Sequence, residues 1–187
     1  MERTVIYDVQ DAKVYPLTAD APAGPTYGTS IDVPGIQQVE LAPQYESNQL
    51  DGDGREIDTR TRLKAAELTF RYAKLDPEVL AALDGGTAET VEGPPPVTSY
   101  TRAADDRIPY FGFAAEVVEV DNPEGSAILH VYKCRITDGS LFAGETDDYG
   151  TPEFTARAVY LEGGTLWRAE LRDASPGVPD DLATSLA

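Results

Sequence analysis

No part of this chain restricts its fold more than the stretch from Ile36 to Ala73. From Ile36 to Leu50 apolar and polar residues alternate, with Val39, Leu41 and Tyr45 on one side and Gln38, Glu40, Gln44 and Glu46 on the other. That is the period of a strand with one dry and one wet face. Pro43 lacks the amide a central strand needs, which points to an edge position or a bulge. Asp51-Gly52-Asp53-Gly54-Arg55-Glu56 follows, and Asp-Gly pairs favour the positive φ of a tight reversal. The return arm, Ile57 to Ala73, puts Leu68, Phe70 and Tyr72 on one face and Glu67, Thr69 and Arg71 on the other. At ~3.3 Å per residue, arms of about fifteen residues reach ~50 Å, well past the ~20 Å of an ordinary strand. Part of this hairpin is therefore expected to project or bend.

Short alternating segments fill most of the remaining sequence. Arg3 to Val9 and Ala12 to Leu17 read as two terminal strands, Thr18 to Gly28 as a loop, and strand structure resumes near Ile31. Asp76 to Asp84 reads as a helix: Asp76 supplies a cap, Pro77 suits the first turn, Glu78 complements the dipole and Gly85 ends it. Thr87 to Thr101 reads as a loop insertion, because Gly93-Pro-Pro-Pro96 opposes both helix and ladder. Pro109 to Val120 and Ser126 to Thr137 flank a hairpin-like turn at Asp121 to Gly125, and Pro152 to Glu162 and Thr165 to Arg172 flank a shorter one at Gly163-Gly164. Asp173 to Ala187 has no periodicity and carries Pro176, Gly177 and Pro179, the composition of a flexible tail. The expected fold is mainly β: an antiparallel β-sandwich or barrel with one short flanking α-helix and a long projecting β-hairpin. One domain is expected over residues 1–172, with a flexible C-terminal tail over 173–187. At 187 residues such a domain buries enough surface to need no disulfide or structural metal.

The residues offer no catalytic set. The lone His130 shares a strand pattern with Ile128, Tyr132 and Ile136 and reads as a structural core residue, as does the lone Cys134. Neither zinc ligands nor a Ser/His/Asp triad assemble around them. A P-loop and a GxGxxG fingerprint are both absent. The alternating aspartates of Asp51 to Glu56 fall short of a calcium loop, and Glu145 to Tyr149 reads as a solvated acidic loop. Carboxylate pairs carry no signal among 33 acidic residues. No enzyme, cofactor or metal is expected. No apolar run reaches the ~18 residues of a membrane span, and the first residues lack a secretion signal. The 33 acidic against 15 basic residues, a formal net charge of -18, argue against phosphate-neutralising binding of nucleic acid. Such a surface serves solubility or repels an anion.

Val33 to Gly54, the return arm through Leu68-Thr-Phe-Arg-Tyr-Ala-Lys74 and the short helix together resemble the major tail tube proteins of long-tailed, siphovirus-type bacteriophages, most clearly over Ile31 to Gly86. The resemblance implies a β-sandwich that assembles into six-membered rings, rings that stack into a tube, and inner strands that merge into a barrel around a channel. It implies as partners the chain itself, a tape measure protein, a tail terminator and tail tip proteins. Double-stranded DNA would pass through without specific binding. The location implied is the virion tail, assembled in the host cytoplasm, with no membrane insertion. On this reading Glu40, Gln44, Glu46, Glu67, Thr69 and Arg71 are candidates for an acidic lumen that repels DNA. Asp51, Gly52, Asp53, Gly54, Arg55 and Glu56 become the candidate inter-subunit tip. The alternatives are the inner tube of a contractile injection apparatus, a carbohydrate-binding β-sandwich using Trp167 and tyrosines, and a hydrolase with paired carboxylates.

Overall fold

The fold is that of a computed structural model, which describes residues 6–52, 55–119, 125–141, 150–174 and 176–186. In chain order the elements are β1 (Ile6–Ala21), β2 (Gly24–Tyr27), β3 (Ile31–Asp32), β4 (Ile36–Gly52), β5 (Arg55–Tyr72), α1 (Pro77–Asp84), β6 (Thr87–Val91), β7 (Val97–Thr101), β8 (Phe111–Glu119), β9 (Ser126–Ser140), β10 (Glu153–Ala158), β11 (Trp167–Arg172) and a 3-10 turn (Leu182–Leu186). Every strand pairing among the described residues is antiparallel, as expected. One large sheet runs β2-β1-β8-β9-β10-β5-β4, with β11 also on β9 and β3 also on β1.

β9 is the hub of the sheet. Its first half pairs with β8 on one side and β11 on the other, and its second half pairs with β10. The body of the sheet buries one face, and a second face locally, so β8 is buried from Phe111 to Glu116 without alternation. Phe111, Phe113 and Ala115 join the main core with Leu68, Phe70, Phe154 and the helix residues Val79, Leu80 and Leu83. Phe70 anchors this core, its ring centroid 4.9 Å from Phe113 and 5.8 Å from Phe154. The opposite face of β8 is covered by a smaller cluster of Tyr15, Ala114, Tyr132, Leu161, Val178 and Leu182.

The helix forms where its local signals place it. The Asp76 carboxylate accepts the Glu78 amide at 2.9 Å, and Gly85 ends the helix at a φ of 86°, with its α-carbon against the Arg107 carbonyl where a β-carbon would collide.

Several expectations are corrected. The two terminal strands are one, β1, kept continuous by irregularities between Ile6 and Asp8 and between Val9 and Asp11. Thr18 to Gly28 is not a loop: β1 runs on and reverses into β2, with Ala21 opposite Gly24. Gly93-Pro-Pro-Pro96 does not prevent pairing, because the prolines occupy the turn and Val91 faces Val97 across it. Gly163-Gly164 makes its turn, with Leu161 and Thr165 joined at 2.9 Å, yet the strands it separates do not pair with each other and both turn to β9. An irregularity of register near Phe111 and Phe113 carries Ile136 into the main core, on the other side of the sheet from Tyr132.

Residues 176–186 are packed, in contrast to the flexible tail expected over 173–187. Val178 and Leu182 are buried. Asp11 accepts the Val178 amide at 3.0 Å, Lys13 donates to the Val178 carbonyl at 3.0 Å, and Tyr15 donates to the Pro179 carbonyl. Tyr132 donates to the Ser185 carbonyl at 3.3 Å. These side chains hold backbone atoms, which explains why the tail's own composition carried no signal.

Candidate functional site

The β4-β5 hairpin pairs from Ile36 opposite Tyr72 out to Gly52 opposite Arg55. β10 backs β5 only between Ala66 and Arg71. Beyond Gln44 and Ala65 the hairpin is a two-stranded arm with no third strand among the described residues. Tyr45, Leu50 and Ile57 on this arm are 65%, 60% and 62% exposed. Tyr45 continues the side of Val39 and Leu41, but the body ends there and leaves it uncovered. An isolated two-stranded ribbon is marginal in water, so an arm of this length with exposed large apolar side chains calls for a partner. At its tip Asp51 lies opposite Glu56 and Gly52 opposite Arg55, with Asp51, Arg55 and Glu56 exposed. Asp53 and Gly54 lie outside the described residues.

Residues directly opposed in an antiparallel ladder point to the same side. Glu40 faces Thr69, Ala42 faces Glu67, Gln44 faces Ala65, Glu46 faces Arg62 and Gln38 faces Arg71. Glu40, Gln44, Glu46, Glu67, Thr69 and Arg71 therefore lie on one face of the hairpin. The sheet extends that face. Glu153, Thr155 and Arg157 of β10 sit beside Arg71, Thr69 and Glu67, and Ser140, Asp138 and Arg135 of β9 follow. These β10 and β9 residues were missed as members of the face. The alternation of Glu153, Thr155 and Arg157 with Phe154, Ala156 and Ala158 carried a usable signal, but only register tells which face they share with β5.

Several charges of this face are paired. The Nε of Arg71 donates to Glu153 Oε2 at 2.9 Å, joined by its Nη2. Arg62 reaches Glu46 Oε2 through Nε at 3.0 Å and Nη2 at 2.7 Å, and Lys64 stands 3.8 Å from the same carboxylate. Arg62, with Lys64 behind it, holds the Glu46 carboxyl below its ordinary range. Arg135 lies over the Tyr110 ring, 3.8 Å from its centroid, and Lys133 meets Asp20 at 2.6 Å. Across the four strands the wet face sets Glu40, Glu46, Asp58, Glu67, Asp138 and Glu153 against Arg60, Arg62, Arg71, Lys133, Arg135 and Arg157. With Lys64 added beside Glu46, the carboxylates do not outnumber the cations. The acidity expected of this face is thus not there, and the formal charge of -18 is carried by the rest of the chain.

Two edges of this four-stranded unit lack a strand partner among the described residues: the outer edge of β4, and residues 135–140 of β9 on the side away from β10. Because β9, β10, β5 and β4 alternate in direction, the two outer edges run in opposite senses.

Elsewhere, among the described residues, the titratable side chains most apt for chemistry lie apart. His130 is buried with neither ring nitrogen hydrogen-bonded, and Glu170 Oε2 lies 3.9 Å from its Nε2. Burial lowers its pKa to about 4. Burial raises the Cys134 thiol pKa. Trp167 sits partly exposed on β11 opposite Val131. Among the described residues no three His, Cys, Asp or Glu side chains group to hold a metal, and no helix is long and apolar enough to cross a membrane.

No protein-family model matches the chain, and no curated protein matches it. Among solved structures it is similar to a chain in the cryo-EM structure of an extracellular contractile injection system, the PVC sheath-tube complex in its extended state. The TM-score is 0.45 at 10% identity, covering 90% of this chain and 92% of that one.

Proposed function

We propose that this chain is a non-enzymatic structural subunit of a tail tube of the long-tailed bacteriophage type. It closes into six-membered rings that stack around a channel, and double-stranded DNA passes through without specific binding. The observation that carries this reading is the four-stranded unit with one wet face and two open edges of opposite sense. A head-to-tail contact repeated by rotation leaves strand direction unchanged, so β4 of one copy meets the free edge of β9 of the next as an antiparallel pair. Six copies of four strands spaced ~4.8 Å apart give a perimeter of ~115 Å and a backbone diameter of ~37 Å. A strand tilt of ~40° widens this to ~48 Å, room for a double helix inside the side chains.

On this reading the six-residue set of Glu40, Gln44, Glu46, Glu67, Thr69 and Arg71 lines the lumen. The arm from Tyr45 to Ile57 reaches a neighbouring copy, with its tip as the contact. Tape measure, terminator and tip proteins complete the tail. Electron microscopy of the purified protein tests the proposal directly, with rings or tubes expected and a persistent monomer overturning it. Cysteines introduced at Glu40 and Asp138 and bridged by a flexible bis-maleimide should give a ladder of oligomers ending at the ring number. The native Cys134 is buried and does not compete.

A further inference from the structure

An open sheet face that carries Arg60, Arg62, Arg71, Arg135 and Arg157 would ordinarily be a trap for phosphates, since guanidinium groups bind them two-pronged and each contact adds salt-sensitive affinity. Here the geometry counters that property at two of these arginines, Arg71 and Arg62, each held in an ion pair on this face among the described residues. In Arg71 the Nε and Nη2 groups both point at Glu153 Oε2, and in Arg62 the same two groups both point at Glu46 Oε2. The Nε–Nη2 edge, one of the two with which a guanidinium grips a phosphate, is already occupied in both residues, and the carboxylate that fills it offsets the cation's charge. Each pair also ties two strands together, β5 to β10 and β5 to β4, so the arginine is oriented from a neighbouring strand instead of its own. Arg135 has its guanidinium carbon 3.8 Å from the Tyr110 ring centroid.

We propose that Glu46 and Glu153 act as intramolecular masks, which keep Arg62 and Arg71 from binding a polyanion such as duplex DNA. The face is made passive to phosphate by local neutralisation and not by an excess of negative charge. What this means for transport rests on the tube reading above, whereas the masking itself is a property of the single chain. The pairs remain partly solvent-exposed, at 43% and 42% for Arg71 and Glu153, so a freed arginine is within reach of a ligand.

The test is fluorescence anisotropy of a labelled duplex oligonucleotide, titrated with the purified protein over a range of salt concentrations. Wild type should show no saturable association. Glu46→Gln with Glu153→Gln, which keeps size and an acceptor oxygen, should bind saturably, at protein concentrations about tenfold or more below the highest at which wild type shows none, with a log–log salt slope near -2, roughly one unit per unmasked arginine. Adding Arg62→Gln and Arg71→Gln should abolish that binding. Glu89→Gln with Glu92→Gln changes net charge equally at exposed positions on and beside β6 and should bind no DNA. No gain in the first variant, or an equal gain in the β6 pair, overturns the proposal. Assembly is scored separately by microscopy. Tubes without acquired DNA affinity sink the masking alone, and DNA affinity in a protein that never assembles sinks the tube alone.

Discussion

Leu182 occupies the space that a side chain at residue 112 would need: a β-carbon on Gly112 would run into Leu182 Cδ2 and come within 2.9 Å of Tyr27 Cε1. The absence of a side chain on β8 is thus what lets the C-terminal 3-10 turn seat against the sheet. Gly112→Ala is expected to unseat that turn and cost about 1–3 kcal/mol, the usual penalty for overpacking. Denaturant unfolding should show the lowered midpoint, and limited proteolysis should show faster cleavage after residue 176.

His130 sets a pH dependence with a definite sign. Burial disfavours its charged form, helped by Arg172 and Arg168 and opposed by Glu170, so its pKa falls from 6.5 to about 4. Between those values the unfolded chain takes up a proton that the folded one refuses. Stability from this group is complete above pH ~6.5 and is lost as pH falls toward ~4, by at most about 3 kcal/mol. Unfolding midpoints measured from pH 7 to 4 should drop for wild type and flatten for His130→Leu. An equal drop in the variant would remove His130 as the cause.

On the proposed tube reading, the arm separates assembly from folding. Tyr45, Leu50 and Ile57 are largely exposed, so changing all three to Ser should leave the monomer's stability within about 0.5 kcal/mol per site. The same triple variant should fail to form tubes in sedimentation and microscopy. A melting temperature far below wild type would show that the arm folds back on its own subunit.

Asp76→Ala removes the acceptor of the Glu78 amide and should cost about 1 kcal/mol. Asp76→Asn should retain most of that, and the pair of unfolding midpoints distinguishes loss of the cap from loss of charge.

The elements legible in the sequence are those whose cause is local. The long hairpin was announced by alternation from Ile36 and by the Asp-Gly reversal, and α1 by Asp76, Pro77 and Gly85 within one turn of its ends. The rest depends on partners distant in the chain. Nothing in Ser126 to Ser140 says that the strand will exchange β11 for β10 near Cys134, because its own pattern is the same for either neighbour. The C-terminal segment has no periodicity, and the groups that hold it, Asp11, Lys13, Tyr15 and Tyr132, lie in strands far away in sequence. Charge behaved likewise. The total of -18 is a sum over the chain, and only cross-strand register shows that the wet face balances its carboxylates with arginine and lysine.

The even count of strands between the outer edge of β4 and the free edge of β9 has a consequence for direction. Copies joined through those edges are related by rotation alone, with no two-fold axis lying in the plane of the ring. The two sides of such a ring present different loops, and a pile of them has unlike ends. On the proposed tube reading, one end would be open to a factor that starts growth and the other to a factor that stops it, with neither able to bind in the other's place.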